Sequence, residues 1–374
     1  MRLGLLIIVF LVSSAMAADV VVLRDGQGEL TGTIQASDDS ALRIETLDGK
    51  RRQVAWDVIR AVRFDSAVAT PGSMTERMKR AEDIWRARSR LQRGDAALAE
   101  PIFERLFVAS PERRGETDLI IAEGLLRSRL NRGAILEAYL PALETARLRR
   151  LGIKSDRYDD LVPVYDEATS LCVFLAPPWT DQVSTTRLIQ QLEQWKSGGD
   201  ERLANIAEGY RILAEHAGGT IPDSVETPSS ETETGGGDSS LPNVLRLAIE
   251  SRRASSTARR SAQGDLRHQL SRRDDWQEPL FRYMLGTSLL LEPGEGLRRQ
   301  GLVELAWLPA RHGRSHPYLA GVALAIMARE LAAQGDLKAA MRLEAELKRT
   351  YPNHPVNRTS DPLGAVTAKE ADAR

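Results

Sequence analysis

The sequence predicts a mainly α-helical protein, in which α-hairpins stack as a solenoid behind a small all-β, barrel-like module. Three observations lead there. Residues 19–64 carry short alternating apolar runs, such as Leu30, Gly32, Ile34 and then Leu42, Ile44, between Asp-Gly and Ser-Asp-Asp turns, which is the period of half-buried strands. From Met74 the apolar spacing lengthens to three and four, as at Ile84, Ala87 and Leu91, the period of amphipathic helices. Gly, Ala and Pro then recur at fixed offsets within the helical part, a sign of repeated helix–turn–helix units.

The first element is the N-terminal stretch MRLGLLIIVFLVSSAMAADV. One arginine, Arg2, precedes an apolar run from Leu3 to Val12, and Ala15-Met16-Ala17 provides a small-x-small cleavage site. Residues 1–17 are therefore expected to be a signal peptide with a mature start at Ala18. The run falls short of the ~20 residues that span a bilayer comfortably. The expected location is the periplasm or another extracytoplasmic compartment of the cell envelope. Cys172 is the only cysteine, so no internal disulfide is available. Among the apolar residues of ATSLCVFLAPP it reads as a buried, inert thiol. The net charge of −1 gives no global attraction to nucleic acid or acidic lipid.

Residues 18–65 are the β-module. Strands are expected at about 19–24, 29–36, 40–46, 51–55 and 59–64, with a tight turn at Trp56-Asp57-Val58 before the last. So few strands bury one face best by curling, which also hides their edges. In strand count and turn spacing the segment resembles the SH3-like and Sm-like small barrels. Residues 66–73, SAVATPGS, read as a linker.

Residues 74–217 form the first helical region, interrupted at Gly94, Pro111, Gly133, Pro177-Pro178 and Gly198-Gly199. Breaks this close together produce hairpins and not one rod. Residues 218–241 contain Asp223, Glu226, Glu231, Glu233 and Asp238, with no basic and few apolar side chains. They are expected to be a disordered acidic linker, since little apolar burial offsets the entropy of ordering them. Helices resume over 242–356, and 357–374 is expected to be a flexible tail.

The helical part repeats. Gly94, Gly133 and Gly335 each precede an Ala by five residues, at Ala99, Ala138 and Ala340. Pro111 and Pro352 stand seventeen residues after the first and third glycine, and Ala87 and Ala328 seven before. The second copy departs, with Leu126 and Arg150 at these places; a fourth, degenerate copy places Leu285-Gly286 at a tight crossing. Small residues let antiparallel helices cross closely, Gly opens the turn and Pro ends the second helix. One such hairpin cannot cover its own apolar faces, so hairpins stack. The pattern resembles the tetratricopeptide repeat family, best over Pro317–Pro355. The resemblance implies a binding scaffold whose concave groove takes peptide or protein segments. Six residues before each turn glycine is an arginine: Arg88, Arg127 and Arg329. By the family's geometry these would face the groove as a ladder, holding a protein or peptide partner of acidic character.

Chemistry is sparse. His312 and His316 are four apart, but Gly313, Ser315 and Pro317 place them in a loop, so no metal is expected. Asp159-Asp160 and Asp274-Asp275 read as charges at helix starts, and the tryptophans as core residues. No nucleophile elbow, phosphate-cradling glycine loop or Cys/His constellation is present in the sequence, so no catalytic residue and no cofactor is expected. The stretch 246–273 is rich in arginine without stacking aromatics, which argues against nucleic acid and allows at most peripheral membrane contact. The expected function is a non-catalytic, exported scaffold binding a protein or peptide. The alternatives are an envelope enzyme with an unrecognised site, or a binder of anionic polymers or membrane surfaces through 246–273.

Overall fold

The computed structural model describes residues 18–24, 26–38, 41–65, 72–109, 114–175, 182–228, 240–272 and 275–358. The expected signal peptide, the stretch 66–71, Pro111, Pro177-Pro178, Trp179, residues 229–239 of the acidic linker and 359–374 of the tail lie outside these described residues. The chain is mainly helical, with a small antiparallel sheet near its N-terminus. It forms two compact units. Described residues up to Arg86, with Gly115–Thr117, make the first, and the remainder make the second.

The first unit holds five strands, β1 (Asp19–Leu23), β2 (Glu29–Ser37), β3 (Ala41–Thr46), β4 (Arg51–Ala55) and β5 (Ile59–Arg63). Each lies within two residues of its expected bounds, and Trp56–Val58 forms a single 3-10 turn between β4 and β5. All pairings are antiparallel in the order β4-β3-β2-β1-β5. The barrel expected from the sequence is not closed: β4 and β5 remain the two edges. Exposed Arg51 and Arg52 on β4 guard that edge by charge, an alternative to closure. Val21, Leu42, Ile44, Trp56 and Ile59 fill the interior, each at most 1% exposed. The Trp56 indole N–H donates to the Asp38 carbonyl at 2.9 Å. Gly32 has no alternative, since a Cβ there would lie 2.0 Å from the Glu45 carbonyl oxygen across the β2–β3 pairing.

Helix α1 (Gly72–Gln92) contributes residues to both units, and α3 (Glu116–Asn131) likewise; α2 (Ala96–Ala109) belongs to the second. The second unit continues with α4 (Ile135–Arg150), a small hairpin β6 (Tyr165–Asp166) and β7 (Leu171–Cys172), then α5 (Gln182–Gln194) and α6 (Glu201–Glu215). After these come α7 (Asn243–Glu250), α8 (Ser256–Leu270), α9 (Glu278–Leu290), α10 (Glu295–Arg311), α11 (Pro317–Ala333) and α12 (Leu337–Thr350). From α4 to α12 each helix packs on the next.

The repeat positions do what their chemistry requires. Gly94, Gly133 and Gly335 have φ of 86°, 70° and 86°, the left-handed conformation that glycine adopts without a side-chain clash. After each, the next residue's N–H bonds back five residues, Asp95 to Arg90, Ala134 to Arg129 and Asp336 to Leu331, all at 2.9 Å. This is one helix-ending motif used three times. Ala99, Ala138 and Ala340 are fully buried. In the fourth copy, Gly286 and Gly301 face each other: a Cβ on Gly286 would meet Leu305 at 2.8 Å, and one on Gly301 the Gly286 carbonyl at 2.8 Å. Helices α9 and α10 thus cross backbone against backbone.

Two segments differ from expectation. Residues 151–175 are not helical; Asp159-Asp160 sit in a turn and the β6–β7 hairpin follows. Residues 218–228, expected to be disordered linker, are held in place. Ile221 is fully buried and exchanges backbone hydrogen bonds with Arg252 and Ala254 at 2.7 and 2.8 Å. Arg253 donates to the carbonyls of Pro222 and Val225 at 3.0 and 2.6 Å. One apolar core runs from Leu126 to Val356, so the helices on either side of 218–241 share an interior.

Candidate binding cleft

Within the second unit lies a cleft of ≈ 760 Å³, the size range of ligand and peptide pockets. Two repeat turns, at Gly94 and Gly133, form one side; the start of α11 and the chain after α12 form another. Its apolar surface comes from side chains such as Leu161, Val162, Phe174 and Tyr318. Val162 is 68% exposed, an uncovered apolar group. The described lining holds three arginines, Arg127, Arg132 and Arg314, two histidines, His316 and His354, and no carboxylate.

Each wall is fixed by specific bonds. Arg127 donates from Nε and Nη2 to Glu123 Oε1 at 3.0 and 2.7 Å, and from Nη1 to the Val162 carbonyl at 2.8 Å. It thereby ties loop 161–164 to α3. Glu123 also receives Arg149 at 2.7 Å. Arg132 Nη2 donates to Glu100 at 2.7 Å. On the far side, His354 packs face to face on Tyr318, ring centres 5.1 Å apart. Its Nε2 lies 2.9 Å from the Tyr318 carbonyl, and its Nδ1 accepts from the Val356 N–H at 3.2 Å. Those two bonds require the neutral tautomer with hydrogen on Nε2, and burial accordingly holds its pKa below the ordinary value. Gly321 makes room for that ring, because a Cβ there would be 2.5 Å from it. The Tyr351 hydroxyl donates to the Gly313 carbonyl at 3.2 Å.

The arginines singled out by the repeat do not form a ladder on this surface. Only Arg127 reaches the cleft lining. Arg88 on α1 and Arg127 on α3 are buried, 6% and 7% exposed, whereas Arg329 on α11 is exposed. A buried guanidinium needs a counter-charge, and Arg127 takes Glu123. The cation open to a ligand is Arg314, exposed in the cleft lining; among the described residues it has no carboxylate partner. Sequence reasoning missed it, because it lies in the link between α10 and α11 and not at a repeat position.

Cys172 is buried and its thiol is pushed up to about 12 by burial, which leaves it unreactive. Half-buried Trp307 has the guanidinium groups of Arg282 and Arg311 over its ring, at 4.4 and 5.2 Å. Among the described residues no three His, Cys, Asp or Glu side chains converge as a metal site would need. In the Arg-rich stretch, Arg252 and Arg253 hold segment 218–228, while Arg259 pairs with buried Glu292 at 2.8 Å. No helix among the described residues is long and apolar enough to cross a membrane.

Comparison with protein-family models, with curated proteins and with solved structures finds no match to this chain.

Proposed function

We propose that this chain is an exported, non-catalytic scaffold of the cell envelope whose helical hairpins stack as a tetratricopeptide-like solenoid. Its cleft takes an acidic segment of a protein partner, with apolar side chains on the segment seated beside Val162 and Phe174. An SH3-like arrangement of the β-module is supported by its five short strands and the 3-10 turn before β5. The signal-like N-terminus supports export.

One observation carries the reading: an apolar cleft whose described lining has arginines and histidines but no carboxylate. Arg127 and Arg132 already have carboxylate partners, so the charge left to meet a ligand is that of Arg314. A guanidinium favours a carboxylate, which it binds through two parallel hydrogen bonds. Turning Arg252, Arg253 and Arg259 inward leaves less basic surface for an anionic polymer, which weakens that alternative.

The test uses a short synthetic peptide of alternating aspartate and leucine, with an asparagine-for-aspartate counterpart, measured by fluorescence anisotropy. The aspartate peptide is expected to bind saturably, the counterpart more weakly. Arg314→Glu should lower affinity for the aspartate peptide about tenfold through loss of one pair and gain of one repulsion. Equal binding of both peptides, or an Arg314→Glu variant that binds as the parent does, would overturn the reading.

A further inference from the structure

His316 stands in the wall of this cleft at the position just before α11, where its side chain makes no capping bond. Several groups face it. From the end of α10 comes His312, with ring centres 6.1 Å apart, itself 3.9 Å from Glu278 of α9. From the α10–α11 link come Arg314 in the same lining and the Ser315 hydroxyl, 3.1 Å from Nδ1. From the segment after β7 come the Phe174 ring, 5.4 Å away, and the Val173 carbonyl. Nε2 is buried and makes no hydrogen bond of good geometry among the described residues, while the nearby Val173 carbonyl favours the protonated ring. The surroundings are therefore a ring, a second imidazole and a guanidinium, with no carboxylate in the described lining. An imidazolium at this position lacks a counter-ion until an anion enters.

We infer that the cleft takes up a proton at His316 together with its acidic segment, so that capture is stronger in mild acid than in mild base. The inference rests on the reading of the cleft as an acidic-segment groove and adds its regulation. The sign follows from linkage. In the empty cleft, burial and then His312 hold His316 down to about 4, so it is neutral throughout the neutral range. A carboxylate in the cleft favours the charged ring and raises its proton affinity. Affinity is then independent of pH well above the occupied-state value, rises as pH falls through it, and stops rising near about 4, where the peptide's own aspartates begin to protonate and weaken binding. Should the carboxylate restore the ordinary value of about 6.5, affinity at about pH 5.5 would exceed that at about pH 8 roughly tenfold.

Two measurements on the full chain test this with the aspartate–leucine peptide. Anisotropy titrations at mildly acidic and mildly basic pH should show tighter binding in acid. Calorimetry at mildly acidic pH, in buffers of different ionisation heat, should show net proton uptake by the unaltered protein. His316→Gln should flatten the pH dependence, with circular dichroism confirming that the variant is folded. Binding that is equal at both pH values without proton uptake would overturn the inference and leave the groove reading intact. A pH dependence that persists in folded His316→Gln would remove His316 from it. Absence of binding at either pH would overturn both.

Discussion

Arg127 shows how a charge at a repeat position becomes part of the frame. Its side chain is 8% exposed and that of Glu123 3%, and its Nη1 donates to the Val162 carbonyl. Removing one partner of such a pair costs about 3–5 kcal/mol where the other charge is left wholly uncompensated, but Glu123 keeps a second partner, Arg149, at 2.7 Å. Arg127→Met is therefore expected to lower stability by less than that, about 1–3 kcal/mol for the lost bonds and the unsatisfied Val162 carbonyl, and Arg127→Met with Glu123→Leu by less than the sum of the single changes. Urea unfolding of the four proteins measures both; additive losses would show that the pair is not coupled. The i, i+4 spacing of Glu123 and Arg127, that of helix-face ion pairs, stands in the sequence, but the repeat position drew Arg127 to a groove instead. The bond to Val162 was not legible there, because it joins residues thirty-five apart through a loop that carries no periodic pattern. Arg314 escaped for the same reason: nothing local distinguishes a link arginine that faces a cleft from one that faces water.

The turns behave as separable units of chemistry. A Cβ at Gly335 would meet nothing within 4 Å, yet φ there is 86°. The cost of Gly335→Ala is then purely conformational, about 1–2 kcal/mol for an L-residue in the left-handed region. Gly286→Ala has the opposite origin: no φ in that region is involved, but the new methyl would meet Leu305 and the Gly301 carbonyl across the α9–α10 crossing. Thermal unfolding should show both variants destabilised. In a double-mutant cycle the Gly286 change should cost less in a Leu305→Ala background, which vacates the nearest atoms, than in the parent, and the Gly335 change should cost the same in both. Coupling of both changes or of neither would contradict the distinction. Strands, helix starts and turn glycines were legible in the sequence because their signals are local and periodic. The β6–β7 hairpin was not, since each strand has two residues and shows no alternation. Nor was segment 218–228. Its composition suits a linker, and its order comes from Arg252 and Arg253, more than thirty residues away in sequence from Gly219 and Pro222.

At the scale of the whole molecule, the question is whether the helices before 218 and after 241 are independent bodies. The apolar core answers through its membership. Leu203 on α6, Leu247 on α7 and Leu305 on α10 belong to one contiguous set of buried side chains. Each of the three is fully buried. Helix α6 packs on α7 as α10 packs on α11, and the clamp of Arg253 on Pro222 and Val225 reinforces the junction. A chain of helices that contact only their neighbours can unfold piecemeal when one interface is weak. A shared core and a hydrogen-bonded junction instead favour one cooperative transition. Leu203→Ala and Leu305→Ala, placed on opposite sides of 218–241, should each cost about 2–5 kcal/mol and move the same transition of the second unit. Guanidinium unfolding followed at once by far-ultraviolet circular dichroism and by tryptophan fluorescence distinguishes the cases. If Leu305→Ala splits off an early phase while a later phase keeps its original midpoint, the helices after 241 fold apart from those before it, and a cleft built from both would lose its rigid walls.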